Sequence, residues 1–137
     1  MRISSEIDVL GLDLDNTLTF RIRRLPWWGL GFLAPLLIML PPNKPMLDII
    51  RKFRKSGGKI IIISSRPRCF MKFSKLWLRK YKVPYNKIRC VGFINRSLRK
   101  LQVIQAEKVK CFIDDDYGIR NFLKENEPLI KILSPLV

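Results

Sequence analysis

The chain has 137 residues, of which 47% are hydrophobic, so it can bury one core and is too short for two domains of ordinary size. Its 27 Lys and Arg stand against 11 Asp and Glu, a net charge of +16 at pH 7, which predicts anionic partners. It contains no histidine. This excludes imidazole as a metal ligand, a general base or a member of a catalytic triad.

The sequence predicts a single domain without disulfide bonds. We predict a single domain over residues 1–137, with an apolar insert at about residues 20–44. The three cysteines, Cys69, Cys90 and Cys111, form no CxxC spacing, and two of them lie in apolar runs. An odd count of this kind favours reduced, structural thiols and a cytoplasmic location.

The first half of the chain predicts two buried strands with a helix between them. Residues 7–14 form an apolar run that ends in acidic residues, as in a strand that opens into a loop. After Pro45, apolar residues recur at helical spacing until Gly57 and Gly58. Residues 59–63 are a β-branched run typical of a central parallel strand.

The second half continues the alternation of helices and strands. The predicted elements are a helix over residues 70–81, a strand at about 88–93, a helix over 97–104, a strand over 109–113, a helix over 119–123 and a strand over 129–133. Pro84 ends the first of these helices, and Ser97 is the predicted cap of the second. The order βαβαβαβαβ predicts an α/β Rossmann-like fold, a parallel sheet with helices on both faces. Its ligands bind beyond the carboxyl ends of the strands.

Polar side chains follow three of the predicted strands. The sequence Asp-Leu-Asp-Asn-Thr at 13–17 ends the first strand, Ser64 ends the second, and Asp114-Asp115-Asp116 follow the fourth. Lys100 lies in the helix before the fourth strand. Five of the 11 acidic residues belong to these two clusters. Clustered carboxylates in so basic a chain indicate a cation site.

These motifs resemble those of the haloacid dehalogenase-like (HAD) hydrolase superfamily, in particular its small phosphatase and nucleotidase-like members. DxDx[TV] at 13–17, a Ser at the end of an apolar strand, and a lysine upstream of an acidic pair occur in the family's order. The resemblance implies a Mg²⁺-dependent phosphohydrolase that cleaves a phosphate monoester through an aspartyl-phosphate intermediate. Phosphoryl transfer needs an in-line nucleophile and neutralisation of the equatorial oxygens, which these residue types supply.

The same resemblance assigns the roles of individual residues. Asp13 is the expected nucleophile, and Asp15 is the expected general acid and base, whose backbone carbonyl also binds the metal. We expect the phosphoryl oxygens to be held by Ser64, Lys100 and Thr17. We expect Mg²⁺ to be bound by Asp13, Asp15, Asp115 and Asp114, with Asp13 and Asp115 as first choices.

Several assignments have alternatives. Ser64 terminates the predicted strand, but Ser65 is adjacent to it. Lys100 is preferred to Lys108, which lies at the entrance of the fourth strand, far from the site. Arg66 is interpreted as a loop residue near the mouth, with phosphate contact as the lesser alternative.

The acidic run at 114–116 also has a structural interpretation. Such a run can form an acidic turn that caps the following helix, and this applies to Asp116 in particular.

The insert is the least ordinary part of the sequence. Residues 25–40 carry no charge, Trp27 and Trp28 stand near their start, and arginines precede them. The run is short for a transmembrane helix and is interrupted by Pro and Gly, and its position argues against a signal peptide. We interpret it as a small cap-type insert after the first strand that contacts a membrane interface, folds over the sheet or forms a dimer contact. A cap so small leaves the active site open.

The expected partners follow from the charge and the insert. They are a phosphorylated substrate, an anionic membrane surface or nucleic acid, and a second copy of the chain through the insert. Peripheral contact with a membrane is the alternative to a purely cytoplasmic location. Two alternative functions remain open: a phosphatase-like binding protein held on anionic membrane or nucleic acid, and a subunit of a larger enzyme.

Overall fold

The computed structural model describes residues 1–20 and 38–136. Within these residues the strands are β1 (Val9–Leu12), β2 (Lys59–Ser64), β3 (Lys87–Cys90), β4 (Cys111–Ile113) and β5 (Lys131–Leu133). The helices are α1 (Lys44–Lys55), α2 (Met71–Lys80), α3 (Arg96–Ala106) and α4 (Tyr117–Asn126), with a short 3₁₀ helix at Arg68–Phe70. The chain is therefore an α/β Rossmann-like fold, as predicted.

The sheet has the order β3-β2-β1-β4-β5, and each neighbouring pair is parallel. The chain moves outward from β1 to β2 and β3, then returns to the other side of β1. In register, Leu12 at the end of β1 lies beside Ile62 of β2 and Ile113 of β4. The strand order reverses between β1 and β4, and in sheets of this kind ligands bind where the order reverses.

Helices cover both faces of the sheet, as predicted. Ile60 and Ile62 of β2 pack in one core with α1 and α2, whereas Ile61 and Ile63 pack in the other with α3 and α4. Successive residues of a strand point to opposite faces. The stretch from Ile60 to Ile63 is apolar throughout because both faces of the strand are buried there.

The helix starts differ in part from the predictions. Asn43 caps α1, accepting a hydrogen bond from the Met46 N–H over 3.4 Å. Asp116 caps α4, accepting from the Ile119 N–H over 3.0 Å, so the alternative interpretation of Asp116 as a cap is confirmed. The prediction of Ser97 as a cap is wrong. Helix α3 begins at Arg96, so Ser97 already lies inside the helix.

Strands β4 and β5 each start two residues later than the sequence pattern predicts. Val109 is not in β4 because its N–H donates to the Ile104 carbonyl over 3.0 Å and so closes the end of α3. Leu129 is not in β5 and is 92% exposed. In both cases a turn follows the preceding helix, and one or two further residues separate this turn from the first paired residue of the strand.

The three cysteines are free thiols, as predicted. Cys90 in β3 and Cys111 in β4 are buried, whereas Cys69 is exposed. Burial raises the pKa of both buried thiols to about 11, so they are neutral packing groups at pH 7.

Most of the predicted insert at about residues 20–44 falls on residues 21–37, which lie outside the described residues, so its predicted contacts stay predictions. Its two ends are adjacent: Thr19 forms an antiparallel bridge with Pro42, and the Phe20 N–H donates to the Pro41 carbonyl over 2.6 Å. Trp77 of α2 donates from Nε1 to the Leu40 carbonyl over 2.8 Å. Across residues 1–20 and 38–136, every helix is too short or too polar to span a bilayer.

Candidate active site at the carboxyl ends of the strands

The sheet itself positions two carboxylates at its carboxyl edge. The Asp13 N–H donates to the Ile113 carbonyl of β4 over 2.9 Å, and the Asp114 N–H donates to the Leu133 carbonyl of β5 over 3.2 Å. Both residues are buried, Asp13 at 5% exposure and Asp114 at 0%. With Asp115 they form a group in which each residue offers an oxygen within 4.8 Å of the others. Carboxylates so close repel one another when they are ionised, so either a nearby cation or a bound proton offsets their charge.

Lys100 of α3 supplies one positive charge to this group. Its Nζ donates to Asp13 Oδ1 over 3.0 Å and to Asp114 Oδ2 over 2.6 Å. The side chain is 1% exposed. Lys108, the alternative, is exposed in the turn that follows α3. The structure therefore brings Lys100, and not Lys108, to the predicted site.

Burial and charge shift the ionisation of these groups. Burial raises the pKa of Asp13 well above its usual value, and although Lys100 opposes this, the neighbouring carboxylates add to it. Burial also raises the pKa of Asp115, with the charge of Asp114 as the next cause. Burial lowers the pKa of Lys100, but Asp13 and Asp114 outweigh it, so that this pKa lies above its usual value. Lys100 is therefore charged, and a further cation would favour the ionised carboxylates.

Asp15 does not join this group but pairs with Arg66. Arg66 donates from Nε to Asp15 Oδ2 over 2.9 Å and from Nη2 to Asp15 Oδ1 over 2.6 Å. Its Nη1 donates to Ser74 Oγ of α2 over 2.9 Å. Arg66 lies in the loop after β2 and lines a cleft beside the carboxylates, as predicted, but its side chain is buried, at 0% exposure. It is a buried link between the loops that follow β1 and β2.

A signal for Arg66 was present in the sequence. Ser74 stands on the buried face of α2 together with Trp77 and Leu78. The Ser74 hydroxyl donates to the Phe70 carbonyl over 2.9 Å, so its hydrogen has a local partner. Its oxygen still accepts from Arg66, and a serine on an apolar helix face is therefore only a weak signal for a polar partner.

Two predicted phosphate ligands are enclosed by the protein. Ser64 and Thr17 are both 0% exposed. Ser64 Oγ accepts from the Arg66 N–H over 3.1 Å, and Thr17 Oγ1 is buried without a hydrogen-bond partner among the described residues. Ser65, the alternative to Ser64, lines the cleft above the carboxylates. Phosphate contact by Ser64 or Thr17 stays a prediction.

Two clefts meet at the site. The smaller, about 100 Å³, is lined by the carboxylates, Lys100 and Ser65 among others. A larger cleft of about 690 Å³ shares Asn16 and Asp115 with it. The walls of the larger cleft include Phe20, Lys44, Tyr117 and Arg120. A small anionic group at the carboxylates can therefore carry a larger organic group beside it.

The donor set fits a hard divalent cation such as Mg²⁺, which prefers oxygen ligands. Asp114 is already engaged on both oxygens, by Lys100 and by the Asp116 N–H at 2.9 Å. Arg120 Nη1 holds the backbone carbonyls of Asp114 and Asp115 at 2.8 and 2.7 Å. Asp13 and Asp115 are therefore the carboxylates best suited to a metal.

Comparison with known proteins finds a shared fold. No protein-family model and no curated protein sequence matches the chain. Two solved structures of a Pnkp1/Rnl/Hen1 complex, one described as an RNA repair complex, are 18% and 16% identical, with TM-scores of 0.75 and 0.73. Each match covers 98% of this chain but only 45% and 49% of the other.

A third solved structure has the same fold. It is the N-terminal part of a Bacteroides fragilis protein containing a phosphatase domain complexed with Mg, 17% identical with a TM-score of 0.61. That match covers 92% of this chain and 35% of the other. The chain thus spans less than half the length of each of these three structures, and it shares its fold with a part of each.

Proposed function

We propose that the chain is a Mg²⁺-dependent phosphohydrolase of the HAD-like superfamily, which cleaves a phosphate monoester through an aspartyl-phosphate on Asp13. The observation that carries the proposal is the contact of Lys100 with both Asp13 and Asp114, beside Asp115. The fold that this chain shares with a phosphatase domain complexed with Mg supports the proposal.

Asp13 is the nucleophile in this proposal. Lys100 donates a hydrogen bond to Asp13 Oδ1, which leaves Asp13 Oδ2 to attack phosphorus. A bound Mg²⁺ would be held by Asp13 and Asp115 and would neutralise charge on the phosphoryl group. Lys100 adds a second positive charge at the oxygens on which negative charge accumulates.

Asp15 is the proposed general acid, and then the general base. It protonates the leaving oxygen and afterwards takes a proton from the water that hydrolyses the aspartyl-phosphate. Arg66 occupies one site on each oxygen of Asp15. A carboxylate offers about four lone-pair sites, so Asp15 can accept or donate a proton while Arg66 fixes its orientation.

The test is hydrolysis of p-nitrophenyl phosphate with and without Mg²⁺ by the parent and by Asp13→Asn. A matched control is Asp48→Asn, which removes an exposed carboxylate of α1. We expect Mg²⁺-dependent turnover in the parent and the control, and none in Asp13→Asn. Phosphate trapped on the protein by acid quench should be absent from that variant and labile to hydroxylamine in the parent. Equal turnover in Asp13→Asn and the parent would refute the nucleophile.

A second candidate is a phosphatase-like binding protein. The net charge of +16 favours it, since such an excess attracts nucleic acid or anionic membrane without catalysis. Turnover by the parent would count against it. Affinity for polyanions that persists in Asp13→Asn, with no turnover of any phosphomonoester by the parent, would favour it.

A further inference from the structure

The outer face of α2 carries a row of positive charge. The row consists of Arg68, Lys72, Lys75, Arg79 and Lys82, and we call it the α2 stripe. Lys72, Lys75 and Arg79 lie in α2 at helical spacing, which places them on one face. Arg68 and Lys82 flank the two ends of the helix. All five are exposed, and all five line one shallow groove.

No acidic residue offsets this charge. The sequence contains no Asp or Glu between Asp48 and Glu107. Among the described residues no ion pair involves the α2 stripe, whereas nearby Lys87 and Arg89 share Glu107 at 3.1 and 3.3 Å. Like charges at helical spacing destabilise a helix. An anionic partner along this face would remove that repulsion.

The α2 stripe begins next to the candidate active site. Arg68 follows Arg66 by two residues, and Ser65, just before them, lines the cleft above the carboxylates. From there the row runs along α2, away from the carboxyl edge of the sheet. The 10 residues of α2 span about 15 Å at a rise of about 1.5 Å per residue, and Arg68 and Lys82 extend the row beyond both ends of the helix. That length spans several successive phosphates of a nucleic-acid strand.

The shape of this surface favours a strand over a membrane. The floor between the charges is formed by uncharged side chains that include Met71, Leu76 and Tyr85. A flat bilayer surface cannot enter a groove, whereas a single strand can lie in one. Proteins that bind single strands combine a basic groove with aromatic side chains on which bases stack, and Tyr85 provides such a ring.

We propose that the α2 stripe binds the phosphate backbone of a single-stranded nucleic acid whose phosphorylated end enters the cleft at Asp13. The second half of this statement rests on the proposed function and names its substrate class, a nucleic-acid end. The first half, binding along α2, requires no catalysis.

The test of binding uses a single-stranded oligonucleotide about twelve nucleotides long with a terminal phosphate. Fluorescence anisotropy gives its affinity for Asp13→Asn protein and for the same protein carrying Lys72→Gln with Lys75→Gln. The control pair is Lys110→Gln with Lys124→Gln, which removes two exposed lysines elsewhere. We expect the stripe pair to weaken binding about tenfold and to reduce the salt slope by about 1.4, or about 0.7 for each lost contact. The control pair should differ little from the parent.

A second measurement separates this proposal from the proposed function. With Asp13 intact, the stripe pair should hydrolyse p-nitrophenyl phosphate like the parent but dephosphorylate the oligonucleotide more slowly. If the variant with Lys72→Gln and Lys75→Gln binds the oligonucleotide as tightly as the parent, binding along the α2 stripe is refuted, even if p-nitrophenyl phosphate is hydrolysed. If the α2 stripe is needed for binding to phosphatidylserine-rich vesicles but not for binding to the oligonucleotide, the proposal of a nucleic-acid strand is refuted and a membrane surface is favoured. If the parent binds the oligonucleotide through the α2 stripe but hydrolyses no substrate, binding along the stripe is supported and the proposed function is refuted.

Discussion

Arg66 holds the carboxylate of Asp15 by two hydrogen bonds, of 2.9 Å from Nε and 2.6 Å from Nη2. The two residues are 51 positions apart in the chain, and each belongs to a loop at the carboxyl end of a different strand. Ser74 holds the remaining end of the guanidinium at 2.9 Å. A planar fork fixed at three nitrogens orients Asp15 more tightly than a single contact would. The pair therefore fixes the orientation of the Asp15 carboxylate, the proposed general acid and base.

Arg66→Lys should lower the turnover of p-nitrophenyl phosphate by about a hundredfold, because a misplaced acid and base costs that order of rate. The lysine keeps the charge but not the fork, so it should fail to rescue. The measurement is kcat at saturating Mg²⁺, together with the melting temperature.

Arg89→Lys is the control for that substitution, since Arg89 is half exposed and pairs with Glu107 on the surface. It should leave kcat unchanged. If Arg66→Lys retains the parent's kcat, Arg66 serves packing alone and does not position Asp15.

Lys100→Met should destabilise the metal-free protein by about 3–5 kcal/mol, because it removes one partner of a buried ionic group. Asp13 and Asp114 then face each other without the cation that now bridges them at 3.0 and 2.6 Å. Urea unfolding measures the loss. Mg²⁺ should stabilise the variant more than the parent, since the ion replaces part of the missing charge. A variant as stable as the parent without metal would contradict this account.

Mg²⁺ affinity should rise with pH. Burial raises the pKa of Asp13 and of Asp115, and a protonated carboxyl is a poor metal ligand. As the pH falls through these raised pKa values, protons compete with the metal and the affinity falls. Titration calorimetry in buffers of different ionisation enthalpy should show proton release on binding. Binding without proton release in acidic buffer would contradict the shifts.

Gly11→Ala should destabilise the fold by about 1–3 kcal/mol, as overpacking does. A Cβ at Gly11 would lie 2.7 Å from Phe112 Cδ2 and 2.9 Å from Val109 Cγ1. Denaturant unfolding measures the cost. Phe112→Leu in the same chain should make Gly11→Ala less costly than it is alone, because the ring no longer fills that space. Additive effects of the two substitutions would rule out this contact as the cause.

The elements of the fold were predictable from local pattern. The run at 59–63 has no polar face, which leaves a strand buried on both sides as the natural interpretation, and the structure confirms it. Element ends were less predictable, since backbone contacts decide them. Asn95 precedes α3 with a left-handed φ of 52° and no side-chain cap, whereas the sequence pattern predicted a cap at Ser97, two residues later.

The sequence by itself determined the alternation of strands and helices, and with it the edge of the sheet at which Asp13, Asp15 and the run at 114–116 gather. These depend on hydrophobic period and chain order, which are local properties. Only the tertiary structure decided that Lys100 enters between Asp13 and Asp114 and that Arg66 is buried against Asp15. Those pairings depend on where α3 and the loop after β2 lie on the sheet. Many lysines and arginines have similar local sequences, and burial beside a carboxylate distinguishes these two.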